Sequence, residues 1–189
     1  MHNNLDLIQQ NRLITGERLA TKLAAKNINA VQKARLLSSL KDPSPADLQK
    51  LLSLEDWIAA QCFVKFCTVG ECRHSSMAYL RYLGTFEDES TMSKVDTFVQ
   101  TLSEHRDGKG RWKGFPFYYT LLVLNELNTE GARGEAEYAI PACERALHRL
   151  KEDDSFYMIK YATLGNILRI GRHTLGNALI QDFPMHKTL

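Results

Sequence analysis

Cys62, Cys67, Cys72 and His74 lie close together in the chain and are residue types that hold soft metal ions. On one continuous helix, steps of five residues rotate by about 140°, so these thiols would not share a face. Gly70 breaks the helix and would bring Cys72 and His74 back towards Cys67. The usual zinc-ligand spacings are absent, and buried free cysteine is a common core residue. The expectation is no metal and no other cofactor.

A second set is basic. Arg106, Lys109, Arg111 and Lys113 surround glycines just ahead of a helix that Pro116 should open. Free backbone N–H groups and the positive end of a helix dipole could cradle a phosphate or diphosphate there, although the P-loop order is absent. A solvated basic turn is the plainer account. Trp112, Phe115, Tyr118 and Tyr119 follow directly and are candidates to line a ligand surface, or else the core of a helical joint. Arg169, Arg172 and His173, with Lys160 one face away, form another basic cluster that also suits a helix C-terminus. His148, beside Arg145 and Arg149, reads as a solvated face. Glu126 and Asp96 could act as an acid and base pair if a groove brought them together.

The elements that must position these side chains are helical throughout. Asn3 or Asn4 can cap a first helix, which should bend or restart near Thr15-Gly16, and Asn29 is expected to cap the next. "DPSPADLQKLL" is a stop and restart, with Ser44 as N-cap, Pro45 at the first helical position and Asp47 in the first turn. Ser53 should cap a further helix ending at Gly70. Met77, Leu80 and Leu83 repeat at helical spacing before Gly84. Val95, Phe98, Val99 and Leu102 form an i, i+3, i+4, i+7 stripe. Gly131 and Gly134 should break the chain again, Pro141 should either kink the helix that follows or stand late in its first turn, and "SFYMIKYATLGNILRIG" and "HTLGNALI" close the series. The fold class is therefore all-α: antiparallel helical hairpins stacked as an α/α superhelix or partial α/α toroid. Residues 1–189 are expected to form one domain, with shorter helices over 1–53, longer hairpins over 54–182 and a tail over 183–189.

Asp107, Gly108 and Trp112, followed by Tyr119, Thr120, Leu121 and Leu124, resemble one repeat of the prenyltransferase and terpene-cyclase α/α-toroid superfamily. Those repeats pair a helix with a D-G-x-x-W-type turn and an aromatic-Thr-Leu-x-x-Leu helix. The resemblance implies the fold. The protein prenyltransferases of that superfamily hold zinc with Asp, Cys and His, and no placement of those three is found here. The cyclases' aspartate-rich motif is also missing, since Asp153-Asp154 is a lone pair between helices. A full toroid needs about twice this length, so the implied form is partial or completed by another subunit, and the family's chemistry does not follow from its fold.

The whole-chain totals narrow the classes. With 189 residues, 44% of them hydrophobic, the chain can build a core without disulfides or a metal. A net charge of +2 argues against a long nucleic-acid track. The 4 cysteines are expected as reduced thiols in a cytoplasmic protein. The start, "MHNNLDLIQQNRL", lacks a signal peptide's apolar stretch, and Gln61 and Lys65 interrupt the apolar run near Trp57, so no membrane span is expected. The expected function is a helical-repeat binding module presenting an aromatic-lined concave surface to a protein partner or apolar small molecule, with a homodimer as one form. The alternative is an enzyme, or remnant of one, acting on an isoprenoid-like diphosphate through the basic turn and the aromatic faces.

Overall fold

The computed structural model describes residues 11–174. Among them are seven α-helices and one short 3-10 turn, with no strand beyond two isolated bridges. The first described feature is a tight reversal through Gly16, which adopts φ +94°. The region where Asn3 or Asn4 was expected to cap a helix lies outside the described residues, as does the proposed tail over 183–189.

Helix α1 (Lys22–Ser38) starts earlier than Asn29. Thr21 is its N-cap, its side chain accepting from the Ala24 N–H at 3.1 Å, and Asn29 lies inside the helix. Ala24, Ile28 and Val31 form a buried stripe that carries the helix through the asparagine. Helix α2 (Pro45–Ala59) has the expected cap. The Ser44 hydroxyl accepts from Asp47 N–H, and the Asp47 carboxylate accepts from Ser44 N–H at 3.1 Å. Ser53 caps nothing, because α2 runs straight through it. One interior serine among good helix formers costs only a few tenths of a kcal/mol, about what its propensity implies.

The helix expected to reach Gly70 ends at Ala59. A 3-10 turn (Cys62–Lys65) follows, and Phe66 then takes a left-handed conformation with φ +52°. Burial explains the difference. Phe63 is fully buried, and the Phe66 ring packs between Phe98 and Phe115 at centroid distances of 4.9 and 6.0 Å. Placing both rings inside outweighs helix continuation for this β-branched and aromatic run.

Helix α3 (Cys72–Leu83) ends at Gly84, and α4 (Glu89–Ser103) starts at an Asp88 cap. The α4 stripe of Val95, Phe98, Val99 and Leu102 is buried as its spacing predicts. Helix α5 (Phe117–Glu126) follows Pro116, and α6 (Glu130–Arg149) is capped by Thr129. Gly131 and Gly134 do not break α6. The stripe Ala132, Ala136, Ala139, Cys143 and Ala146 keeps that helix against its neighbours, and Pro141 sits within it. At Gly131 a Cβ would stand only 3.3 Å from Val99 Cγ1, so this glycine serves close packing on α4. Helix α7 (Tyr157–Thr174) is the last.

The packing order is regular. Helix α1 packs on α2 and α3, α3 on α4 and α5, and α5 on α6 and α7. Helices α4 and α6 also touch, as do α6 and α7. No described helix is long and apolar enough to cross a membrane.

Candidate functional site

The basic turn between α4 and α5 is built around Asp107. Its carboxylate accepts from the Lys109 N–H at 2.7 Å, from the Arg111 N–H at 3.0 Å and from the Tyr138 hydroxyl at 3.1 Å. The Tyr138 oxygen in turn accepts from the Gly108 N–H at 2.8 Å. Burial pushes the Asp107 carboxyl upwards, but those donors outweigh it and hold the acid below its ordinary value. Three amides that could have faced an anion are therefore used within the turn.

The candidate cations are similarly engaged or dispersed. Arg106 donates to Glu135 at 2.7 and 3.2 Å and lies over the Tyr138 ring at 4.5 Å. The Arg111 guanidinium covers the Phe117 ring at 4.2 Å. Lys109 and Lys113 are exposed, and Arg145 reaches back to donate to the Lys109 carbonyl at 2.6 Å.

Of the aromatic candidates, Trp112, Phe115 and Tyr119 are buried, Tyr119 completely. The Trp112 indole N–H donates to Glu135 at 2.7 Å, and the Tyr119 backbone N–H donates to the Glu17 carboxylate at 3.1 Å. Tyr118 is half-buried, with the Lys160 ammonium 5.0 Å from its ring centroid. Three of the four rings are therefore packed into the core and do not line an open surface together.

Glu135 was missed in the sequence, yet it is 3% exposed and anchors the turn through both Trp112 and Arg106. Its signal was available: an acid interleaved in the Ala132, Ala136, Ala139 stripe must face the core. Glu17 and Tyr138 gave no comparable signal, since their roles depend on contacts made far along the chain.

Glu126 and Asp96 have different surroundings. Glu126 accepts a bidentate pair from Arg81 at 2.6 and 2.7 Å and a further bond from Arg35 at 3.1 Å, tying α1, α3 and α5 together. Burial, and then the facing Arg81 charge, lower the Arg35 pKa. Asp96 lines an open groove of about 630 Å³ between α4 and α6, with Gln100, Thr129 and Glu130. Lys160 pairs with Asp154 at 2.6 Å, Arg169 bonds Asn166, and His148 and Arg149 are exposed. The side chains of Arg172 and His173 lie outside the described residues.

The thiols come together, because the helix expected to keep them apart ends before Cys62. The Sγ atoms of Cys62, Cys67 and Cys72 all lie within 4.8 Å of one another, with Cys62 and Cys72 at 3.6 Å. Burial first, then the Cys62 hydrogen bond and the neighbouring thiols, push the Cys72 thiol up to about 12. His74 is not part of this group. Its Nδ1 is buried without a hydrogen-bond partner, and burial holds the imidazole below its ordinary pKa despite Glu71 and Glu17 nearby. Cys143 lies apart in α6, where burial pushes its thiol up to about 12 as well.

No protein family, curated protein or solved structure matches the chain.

Proposed function

We propose that the chain is a stacked-hairpin binding module whose docking surface is the exposed leucine face of its first described hairpin, α1–α2, and whose occupant is a protein partner. The observation that carries this reading is the exposure of four leucines on and between these two helices. Leu48 and Leu52, an i, i+4 pair on α2, are 46% and 63% exposed, while Leu36 in the last turn of α1 and Leu40 just past its end are 55% and 46% exposed. Of the residues in α2, Ile58 alone is buried. Large apolar side chains gathered on one helix pair and left exposed mark an interaction surface, where singly scattered ones do not.

The serial packing of α1, α3, α5 and α7, with α2, α4 and α6 each packed on the helix before it, supports the hairpin-stack reading. Leucines at i, i+4 on a helix suit packing against another helix or an apolar groove of a protein. An apolar small molecule would need a concave apolar pocket, and the groove by α4 and α6 mixes Met92 and Val99 with Asp96, Gln100 and Glu130. The diphosphate-enzyme reading loses support from the basic turn, where Asp107 and Tyr138 occupy the amides of Gly108, Lys109 and Arg111.

The test compares the unaltered chain with a Leu48→Lys, Leu52→Lys double variant as bait in quantitative affinity capture, alongside sedimentation analysis of each. A protein retained by the first and lost with the second supports the reading, as does self-association that the double variant abolishes. Identical capture and identical sedimentation for both would overturn it.

A further inference from the structure

Three thiols from three backbone segments meet at one point. Cys62 opens the 3-10 turn, Cys67 follows the left-handed Phe66, and Cys72 is the first residue of α3. Around a tetrahedral zinc ion with Zn–S bonds of about 2.3 Å, neighbouring sulfurs stand about 3.8 Å apart. The cluster has one edge at 3.6 Å and none above 4.8 Å, so an ion closes the triangle with sulfur movements of about 1 Å or less.

The segment that carries the sulfurs is fixed at several points. Phe63 and Phe66 are buried, the first completely. The Ser76 hydroxyl donates to the Cys67 carbonyl at 2.8 Å, the Arg73 guanidinium donates to the Thr68 carbonyl, and the Cys72 N–H donates to the Val69 carbonyl at 3.1 Å. Cysteines that merely fill a core are sealed in apolar surroundings, as Cys143 is. Here Cys62 is exposed and its two neighbours are half-buried, which leaves the cluster reachable from solvent.

We propose that Cys62, Cys67 and Cys72 form a three-thiolate Zn²⁺ site whose fourth position is open to water or an exogenous ligand. Thiolate sulfur favours soft and borderline ions, and no described histidine or carboxylate joins the group as a fourth protein ligand. Binding replaces three S–H bonds with three S–Zn bonds and releases the protons to solvent, with no change in oxidation state. The ion braces the link between α2 and α3.

The test titrates the full chain, reduced and kept free of oxygen, first with Co²⁺ and then with Zn²⁺. The expected result is a thiolate-to-cobalt charge-transfer band saturating at one ion per chain, with the intense visible bands of tetrahedral cobalt, both bleached by Zn²⁺. Cys62→Ser, Cys67→Ser and Cys72→Ser should each weaken Zn²⁺ binding by at least about a hundredfold, the upper end of what even an outer-shell loss brings. Cys143→Ser should leave it unchanged. If a serine variant does not fold, protection of the parent's thiols by Zn²⁺ against alkylation replaces it: protection of Cys62, Cys67 and Cys72 supports the site, and protection of none overturns it. The proposal is also overturned if no charge-transfer band appears, or if the serine variants keep the band at full affinity. It fails equally if the reduced chain takes up no cobalt and forms a Cys62–Cys72 disulfide in air, which would assign the cluster to redox chemistry.

Discussion

The indole N–H of Trp112 donates to the Glu135 carboxylate at 2.7 Å, and the same carboxylate takes two N–H groups from Arg106. One buried acid thereby pins the turn between α4 and α5 onto α6. Replacing it leaves the indole without an acceptor inside the core. Glu135→Ala is expected to lose about 2–4 kcal/mol in urea unfolding, and Glu135→Gln, which keeps an acceptor, about half of that. A Glu135→Ala loss below about 1 kcal/mol would remove the carboxylate from this anchoring role.

Gly108 and Gly110 share a left-handed conformation, at φ +77° and +85°, but have different neighbours. A Cβ at Gly108 meets nothing within 4 Å, whereas at Gly110 it would lie 2.9 Å from Ala142 Cβ and 3.2 Å from Ala142 N. Gly108→Ala should cost about 1 kcal/mol for the backbone conformation alone. Gly110→Ala adds a clash with the backbone of α6, and its total should exceed the first by about 1–3 kcal/mol. Equal unfolding midpoints for the two variants would contradict the close approach of this turn to α6.

The Glu126 carboxylate is the counter-ion of both Arg81 and Arg35. Glu126→Ala leaves two guanidinium groups from α3 and α1 facing each other, and the expected loss is about 1–3 kcal/mol. High salt should reduce that loss by screening the exposed part of the network. A loss that does not change with salt would place the effect in packing and not in charge.

Asp154 titrates below its ordinary value, chiefly because the Lys160 ammonium donates to it, with the Phe156 N–H contributing and burial opposing. A carboxyl with a depressed folded pKa stabilises the fold above its unfolded value, about 3.9, and loses that contribution as pH falls through the folded value. Parent and Asp154→Asn should therefore differ most near neutral pH, and the gap in urea midpoint should close below about pH 4. A gap that stays constant down to acid would rule out the ionised carboxylate as its source.

Much of the fold was legible because its signals are local. The Ser44-Pro45-Asp47 cap and the Val95, Phe98, Val99, Leu102 stripe each depend on neighbours within one or two turns. The boundaries that differ rest on weak local signals. Asn29, Gly131 and Gly134 are overridden by packing along α1 and α6, and Ser53 costs too little in helix propensity to end α2. At the other extreme, the run from Phe63 to Phe66 looks helical by composition but turns so that both rings can be buried. That turn decides the thiol geometry, so spacing alone could not bring Cys62, Cys67 and Cys72 together. The long-range partners Glu17 of Tyr119 and Glu135 of Trp112 come from residues remote in the chain, and only the apolar stripe around Glu135 hinted at either.

Urea unfolding of Trp112→Ala beside the Leu48→Lys, Leu52→Lys double variant separates core from surface: the aromatic turn is packed inside and the leucines are not. Trp112→Ala should lose about 3–5 kcal/mol, as large-to-small core changes do. The double variant should stay within about 1 kcal/mol of the parent, as surface changes do. A stable Trp112→Ala chain would take the aromatic turn out of the core, and a double variant destabilised as much would put the leucines inside it.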